Sequence, residues 1–472
     1  MGQHRCMNIA LSPATQRLMA LLGAAFILIG AVAMPERMLQ LVPLMVLGLA
    51  ALAFYQFPRA LVLVLVLCCG LGLDIQTSMA AGVGGSLGAA LVKTVPFALA
   101  GALLLRYGPA TDINWPFLTF IAIAGLSIAI LPMGRIATNA DMVRSFIGST
   151  APFALGFALA PRRVWTMVIR GAAVVPIISA LASVLTTVAG IWPWFDIGGR
   201  FQGLHTPPFL GGFCVTAIFA ATLEYLRGFK LQWLIIGGLD LAILLLTQAR
   251  APLIAVGVFL GIVFLFSNRQ IFPLQRKVDL AMGGMIPGLL ALGPAIYFAF
   301  DRIAGMSDNM SGRDIIWPYF IEAIEARPLF GFGLGAGKLI VNPEDPTIRL
   351  LGSNAAHNEY LRLSVDAGII GCAAIFLSII LWIWSGAKKA PPADRLVLRA
   401  GLLAALLHSG FDNTLIASTA LMQFSFFYAA MARAKVDARE MAPRRSRHGR
   451  QEAGAEEGAM SAALARQARG LG

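Results

Sequence analysis

Apolar runs of about 17–25 residues recur along almost the whole chain, separated by short turns that hold most of its charge. Window hydropathy places fourteen of them, at 18–34, 38–54, 59–74, 88–106, 115–133, 147–160, 164–190, 209–226, 230–247, 251–267, 280–300, 362–384, 394–411 and 414–432. Each is close to the hydrocarbon thickness of a bilayer. The pattern therefore predicts an all-α polytopic integral membrane protein with about 12–14 transmembrane helices. Two runs are weaker: 88–106 contains Lys93, and 147–160 is short. Each fits a crossing helix or a re-entrant, tilted piece.

One long polar interruption breaks this rhythm. It divides the chain into an N-terminal helix bundle (1–300), a large loop containing a short amphipathic helix (301–361), C-terminal transmembrane helices (362–433) and a tail (434–472). Inside the loop, Ser311-Gly-Arg-Asp314 has capping-box spacing, with Ser311 as N-cap and Asp314 at N3. Trp317, Phe320, Ile321 and Ile324 follow as one apolar stripe, and Arg327-Pro328 ends the helix. Arg313 falls in the first turn, where unsatisfied backbone N–H groups also favour an anion. The spacing alone leaves open an ordinary capped helix with an exposed arginine.

The next stretch, Gly331-Phe-Gly-Leu-Gly-Ala-Gly337-Lys338, superficially resembles a phosphate-binding loop. It carries Phe332 where such a loop needs glycine and Leu339 where it needs Ser or Thr, so it reads as a backbone turn packed close to the bundle. His357-Asn358-Glu359-Tyr360-Leu361 then opens the next apolar helix. A histidine at that water boundary either exchanges a proton near neutral pH or serves the helix entry structurally.

Composition agrees with the pattern, and charge gives it a direction. The chain is 58% hydrophobic and 13% charged, too little charge to cover a soluble domain of this length. With the N-terminus in the cytoplasm, the inner loops collect Arg59, Arg106, Arg162, Arg163, Arg227, Lys230, Arg269, Arg276, Lys277, Lys388, Lys389, Arg395 and Arg399. The short outer loops then hold little beyond Arg37, Arg135, Arg144, Arg200 and Arg250. This orientation puts the large loop outside and both termini inside. The tail has a basic cluster (Arg444, Arg445, Arg447, Arg450) before an Ala/Glu/Gly-rich end, and is expected to be disordered near anionic headgroups. Topology and tail account for the net charge of +13, and no nucleic-acid partner is called for. Met1–Arg17 lacks a secretory cleavage site, so the first run is expected to remain a membrane helix. The five cysteines (Cys6, Cys68, Cys69, Cys214, Cys372) show neither disulfide nor metal spacing.

The order Gly-Arg313, Trp317, Arg327-Pro-Leu-x-Gly-x-Gly, His357-Asn-x-Tyr-Leu and Gly368-x-x-Gly371 resembles the O-antigen ligase and polysaccharide polymerase superfamily, with a signature region of about 235–380. Arg200-Phe-x-Gly203 and Thr247-Gln-Ala-Arg250 resemble two further family loops. Ala249 stands where the family has Ser, and His205-Thr-Pro-Pro where it has an Asn-Pro-Asn type of sequence. The resemblance implies a bacterial inner-membrane enzyme with an outward, periplasmic active site. Such an enzyme moves a glycan from a polyprenyl (undecaprenyl) diphosphate carrier to an acceptor hydroxyl, either a growing glycan or the lipid A core.

That chemistry suits the residues. Arg200, Arg250 and Arg313 would hold the diphosphate in fork geometry and stabilise its charge as the glycosyl bond breaks. His357 would take the acceptor proton, and direct attack would invert the anomeric centre. Supporting roles fall to Asn358, Tyr360, Trp317, His205, His408 and Asp412. No Asp-x-Asp occurs, so metal-independent catalysis without a cofactor is expected. Asp240, in mid-span, raises the rival reading of a transporter, and an assembly scaffold of a polysaccharide export system is a third. Against transport, the chain has no inverted repeat. Ligase and polymerase share the donor site and are not separated by sequence.

Overall fold

In the computed structural model the described residues are 48–80, 85–129, 136–284, 312–342, 344–351, 354–438 and 440. They fold as helices joined by turns, with only two isolated β-bridges among them. The apolar runs become α1 (Pro58–Gly70), α2 (Leu73–Ala80), α3 (Gly85–Tyr107), α4 (Trp115–Ala129), α5 (Asn139–Thr150), α6 (Arg162–Val188), α7 (Pro207–Gly228), α8 (Leu231–Thr247) and α9 (Arg250–Phe266). After the polar insert come α10 (Arg313–Ala326), α11 (Pro346–Leu351), α12 (Glu359–Ala387), α13 (Pro392–Ser409) and α14 (418–438). Among the described residues α6, α7 and α12 are long and apolar enough to cross a membrane, and α1, α4, α8 and α9 are shorter apolar helices. This is an all-α membrane protein. The expected runs at 18–34 and most of 38–54 and 280–300 lie outside the described residues, as does the tail beyond 440.

One expected span is corrected. The run 147–160 is no single helix: α5 begins at Asn139 under a Thr138/Asp141 capping box, and Ala151–Phe157 continues as 3₁₀ turns. Arg144, expected in a loop, therefore sits in α5. At the other end of the chain, α14 runs to 438, beyond the residue 434 at which an unstructured tail was expected to begin.

α7 is the hub. It is apolar around nearly its whole circumference and is surrounded by α6, α8, α9 and α13. Phe219 on α7 packs on Phe259 of α9 and on Phe426 and Phe427 of α14. Large apolar side chains face outward instead on α1 (Leu63, Leu67), α6 (Leu181, Leu185), α8 (Leu234, Leu239) and α12 (Leu377, Leu381), as a lipid-contacting belt requires.

Opposite ends of the bundle differ in chemistry. At the end holding the start of α6 and the finish of α7 and α14, Arg162 and Arg227 share Asp437, Arg227 also pairs with Asp394, and Lys435 pairs with Asp112. At the other end, α12 is broken at Gly368 (φ +69), and the insert uses the break. Phe332 and Gly333 donate to the carbonyls of Val365 and Asp366, and Ile369 donates to Pro328. The kink's freed backbone groups are thus satisfied by the insert. A Cβ at Gly368 would lie 2.1 Å from the Leu329 carbonyl oxygen, so only glycine permits this approach.

Candidate active site

The insert carries its own small core, in which Ile316, Phe320 and Ala323 of α10 meet Ala336, Val341, Ile348, Ala356 and Val365 of α12. The buried stripe is therefore 316/320/323. Ile321, expected inside, is 45% exposed. The expected N-cap Ser311 lies outside the described residues. Gly312 (φ +71) is the N-cap, and α10 starts at Arg313.

Arg313 reaches from this first helical position to the turn after α13, where its Nη2 donates to the Phe411 carbonyl (2.9 Å). Its Nε is buried without an acceptor among the described residues. The next residue of that turn is Asp412. Asp412 Oδ1 lies 3.6 Å from His357 Nδ1, and Oδ2 lies 3.8 Å from His408 Nε2. Burial pushes the Asp412 carboxyl up, but the imidazoles of His357 and His408 and the Asn413 backbone N–H outweigh it, holding the group below the usual carboxylate range. Burial also lowers the Arg313 guanidinium from its ordinary value, with the charge of Asp412 opposing.

His357 is held in place by its neighbours. Its backbone has φ +46, uncommon for a non-glycine residue and mildly strained. The Trp317 indole N–H donates to the Ala356 carbonyl (2.8 Å), fixing the preceding residue. Asn358 caps α12, accepting from the Leu361 N–H (3.2 Å). Tyr360 donates its hydroxyl to the Leu406 carbonyl (2.8 Å) and lies against Phe376, tying the start of α12 to α13. Of the expected site residues, Arg313, Trp317, His357, Asn358, Tyr360, His408 and Asp412 therefore share one locality.

Arg200 and Arg250 belong to adjoining elements at the same end. Phe201 donates to the Leu246 carbonyl at the end of α8 (3.0 Å), one turn before Arg250 opens α9. A Cβ at Gly211 of α7 would touch Ala249 and Pro252, and one at Gly212 would touch His408 and Thr419. This run of contacts leads from the Arg200 loop to the Asp412 turn. Arg250 is exposed at the first position of α9. Arg200 already has a partner: its Nη2 and Nε lie 2.6 and 2.8 Å from Asp196 Oδ2. His205 lies deeper than its loop position suggested. It is fully buried beside Phe213, and burial pushes its imidazole down to about 4 against the charge of Asp74.

Two features were not anticipated. Glu359, Arg362 and Asp366 form a buried ion network on one face of α12, with Arg362 Nη1 2.8 Å from Asp366 Oδ2 and Arg362 Nη2 against Glu359 Oε1. Asp366 Oδ1 accepts the Gly337 N–H (2.7 Å), so the glycine-rich turn is anchored to α12 as a packed backbone. The i, i+3, i+7 spacing of three charges in an apolar helix was the available signal. The second feature is a group of cations on one face of α5. Lys93 Nζ lies beside Gly148, Arg144 is one turn away, and the turn leading to Lys338 packs on Asp141 and Ser145 through Gly335. None of the three has a salt bridge among the described residues. Burial, then repulsion from Lys93, Arg362 and Arg144, pushes Lys338 down to about 8, with Asp366 opposing.

Residues 235–376 match the family described as O-antigen ligase (Wzy_C), which places that segment in the O-antigen ligase-related superfamily. A comparison with curated proteins found no match.

Proposed function

We propose that this membrane glycan ligase or polymerase takes its glycan from a polyprenyl (undecaprenyl) diphosphate and transfers it to an acceptor hydroxyl at the periplasmic face of the bacterial inner membrane. The observation that carries this reading is the meeting of Arg313, His357 and Asp412 at one locality, with a buried guanidinium N–H on Arg313 that lacks an acceptor among the described residues. A phosphate oxygen completes that donor set. Arg250 and, once it exchanges Asp196 for the donor, Arg200 add fork-shaped positive charge at the same end. Lys93, Arg144 and Lys338 add further positive charge beside the insert.

His357 then accepts the acceptor's hydroxyl proton while the diphosphate leaves from the opposite side of the anomeric carbon, inverting it. Asp412 faces Nδ1, which directs Nε2 toward the reacting oxygen and stabilises the imidazolium that forms. The arginines supply the charge stabilisation that a metal ion gives other diphosphate-leaving reactions. The gathering of Arg162, Arg227, Lys435 and their partners at the opposite end supports a cytoplasmic placement of that end and of both termini.

The test is glycan transfer by the purified protein from a polyprenyl-diphosphate donor, with EDTA present. His357→Ala is expected to slow turnover by roughly 10²–10⁴-fold with donor binding retained. Arg313→Ala is expected to weaken donor binding itself. Transfer by His357→Ala at the wild-type rate would remove the base from this scheme.

A further inference from the structure

A groove of about 630 Å³ opens between α1, α6 and α8, far from the candidate active site. α6 carries both features: its C-terminal end leads into the Arg200 loop, whereas the groove flanks residues 162–178 at its start. At 1.5 Å per residue the helix spans roughly 40 Å, so the groove's arginines and the Arg200 loop lie toward opposite ends of the bundle.

The groove has two kinds of wall. Leu63, Val66, Met167, Val174, Ile178 and the Trp233 face are apolar, and Leu63 and neighbouring Leu67, Leu234 and Leu239 are large apolar side chains exposed outward. It therefore opens toward lipid. Its other wall is cationic: Arg162, Arg163 and Arg170 all line it. Arg170 lies about two turns into α6, stretched over the Trp233 ring at 5.4 Å.

The carboxylates nearby do not balance this charge. Glu224 is shared by Arg170 (2.8 Å) and the buried Arg433, while Asp437 is shared by Arg162 and Arg227, with Asp394 also on Arg227. Four arginines thus share three carboxylates, and a fifth, Arg163, has no ion pair among the described residues. An uncompensated guanidinium beside hydrocarbon is costly, and an anion that itself carries a hydrocarbon chain relieves the charge and fills the apolar wall together. We propose that the groove binds an anionic phospholipid of the bilayer, its phosphate on Arg163 and Arg170 and an acyl chain along Val66, Met167, Val174 and Ile178. Zwitterionic lipids offer the same chain but no net negative charge. A soluble phosphate offers the charge without the chain. The tryptophan at the mouth suits the headgroup level, where such rings collect.

The experiment uses the full-length protein in detergent, read by native mass spectrometry after addition of phosphatidylglycerol or phosphatidylcholine, with inorganic phosphate as a competitor. Wild type is expected to retain phosphatidylglycerol about tenfold more than phosphatidylcholine, with millimolar phosphate unable to displace it. Arg163→Gln with Arg170→Gln is expected to bring the two lipids level. Where that pair fails to accumulate, Arg163→Gln alone reports the charge. Met167→Trp fills the groove without touching an arginine and is expected to lower retention of phosphatidylglycerol. Equal retention of both lipids by wild type, displacement by phosphate, or wild-type retention by Arg163→Gln and Met167→Trp would each overturn the assignment.

Discussion

Asp412→Asn isolates the interaction on which the proposed base depends. The carboxylate stands 3.6 Å from His357 Nδ1, and opposite charges at that distance attract by about 5 kcal/mol at an effective dielectric of 20 and about 1 kcal/mol in bulk water. The two side chains are 32% and 16% exposed, so neither limit applies. An intermediate value of about 2–3 kcal/mol corresponds to roughly 30–150-fold in the rate of a step that creates an imidazolium there. The asparagine variant is therefore expected to lose turnover by that factor, with donor binding nearly unchanged, in the purified transfer assay. A thermal melt across pH supplies the folding control. Because the folded state holds Asp412 below its ordinary value, its stabilisation is fully present above about pH 5 and is lost as the pH falls through the lowered value. The gap in melting temperature between wild type and variant should then close as the pH falls below about 4. Transfer within about threefold of wild type, in a variant that melts as described, would show that His357 does not rely on this carboxylate.

Further outcomes follow from neighbouring geometry. Asp196→Asn frees the Arg200 guanidinium and is expected to tighten donor binding several-fold, unless loss of the Asp196 bond to the Arg200 backbone N–H (2.9 Å) loosens the loop; a binding titration distinguishes gain from loss. His357→Gly and His357→Ala should be equally inactive. The glycine variant should be the more stable by up to about 1 kcal/mol in denaturant melts, because it relieves the positive φ. Asp240, fully buried with neither carboxyl oxygen hydrogen-bonded among the described residues, should accept Asn with transfer changed less than about twofold; a large loss would favour proton-coupled transport. A cysteine at Asn342 should react with a membrane-impermeant thiol reagent in intact cells and one at Arg276 should not, and the reverse labelling would invert the proposed orientation.

Hydropathy read the membrane class and most helix positions, because burial in lipid and burial in protein demand the same apolar runs. It misread 147–160 for the same reason: a 3₁₀ stretch such as Ala151–Phe157 is as apolar as a crossing helix, and its buried residues carry no periodic signature. The stripe of α10 was set one face off because Ile321 is exposed despite its character. The Asp412–His357 approach was invisible as geometry, since the residues lie on separate elements and no spacing rule joins them. The burial of His205 was equally hidden. Its place in a motif-like loop gave no hint that the loop would fold inward, where Gln76 donates to the adjoining Leu204 carbonyl (2.9 Å).

The arrangement of the site also explains why its residues are so dispersed in the chain. Arg313 and His357 stand near the two ends of one insert, yet both reach the Asp412 turn, which the bundle supplies between α13 and α14. They meet there because the insert is fastened to the bundle along its length. Its middle fills the break in α12, its glycine-rich turn gives an N–H to Asp366, its core joins α10 to Ala356 and Val365, and the Trp317 indole holds the Ala356 carbonyl. Asp366 is in turn fixed by Arg362, within a buried ion network in which loss of one partner costs about 3–5 kcal/mol. A substitution in that network would therefore reach the site through the backbone that carries His357, without any contact to a substrate. The helix break at Gly368 is what makes this possible. An unbroken α12 would have no free carbonyls for the insert to use, and Arg313 would have no fixed path to Phe411.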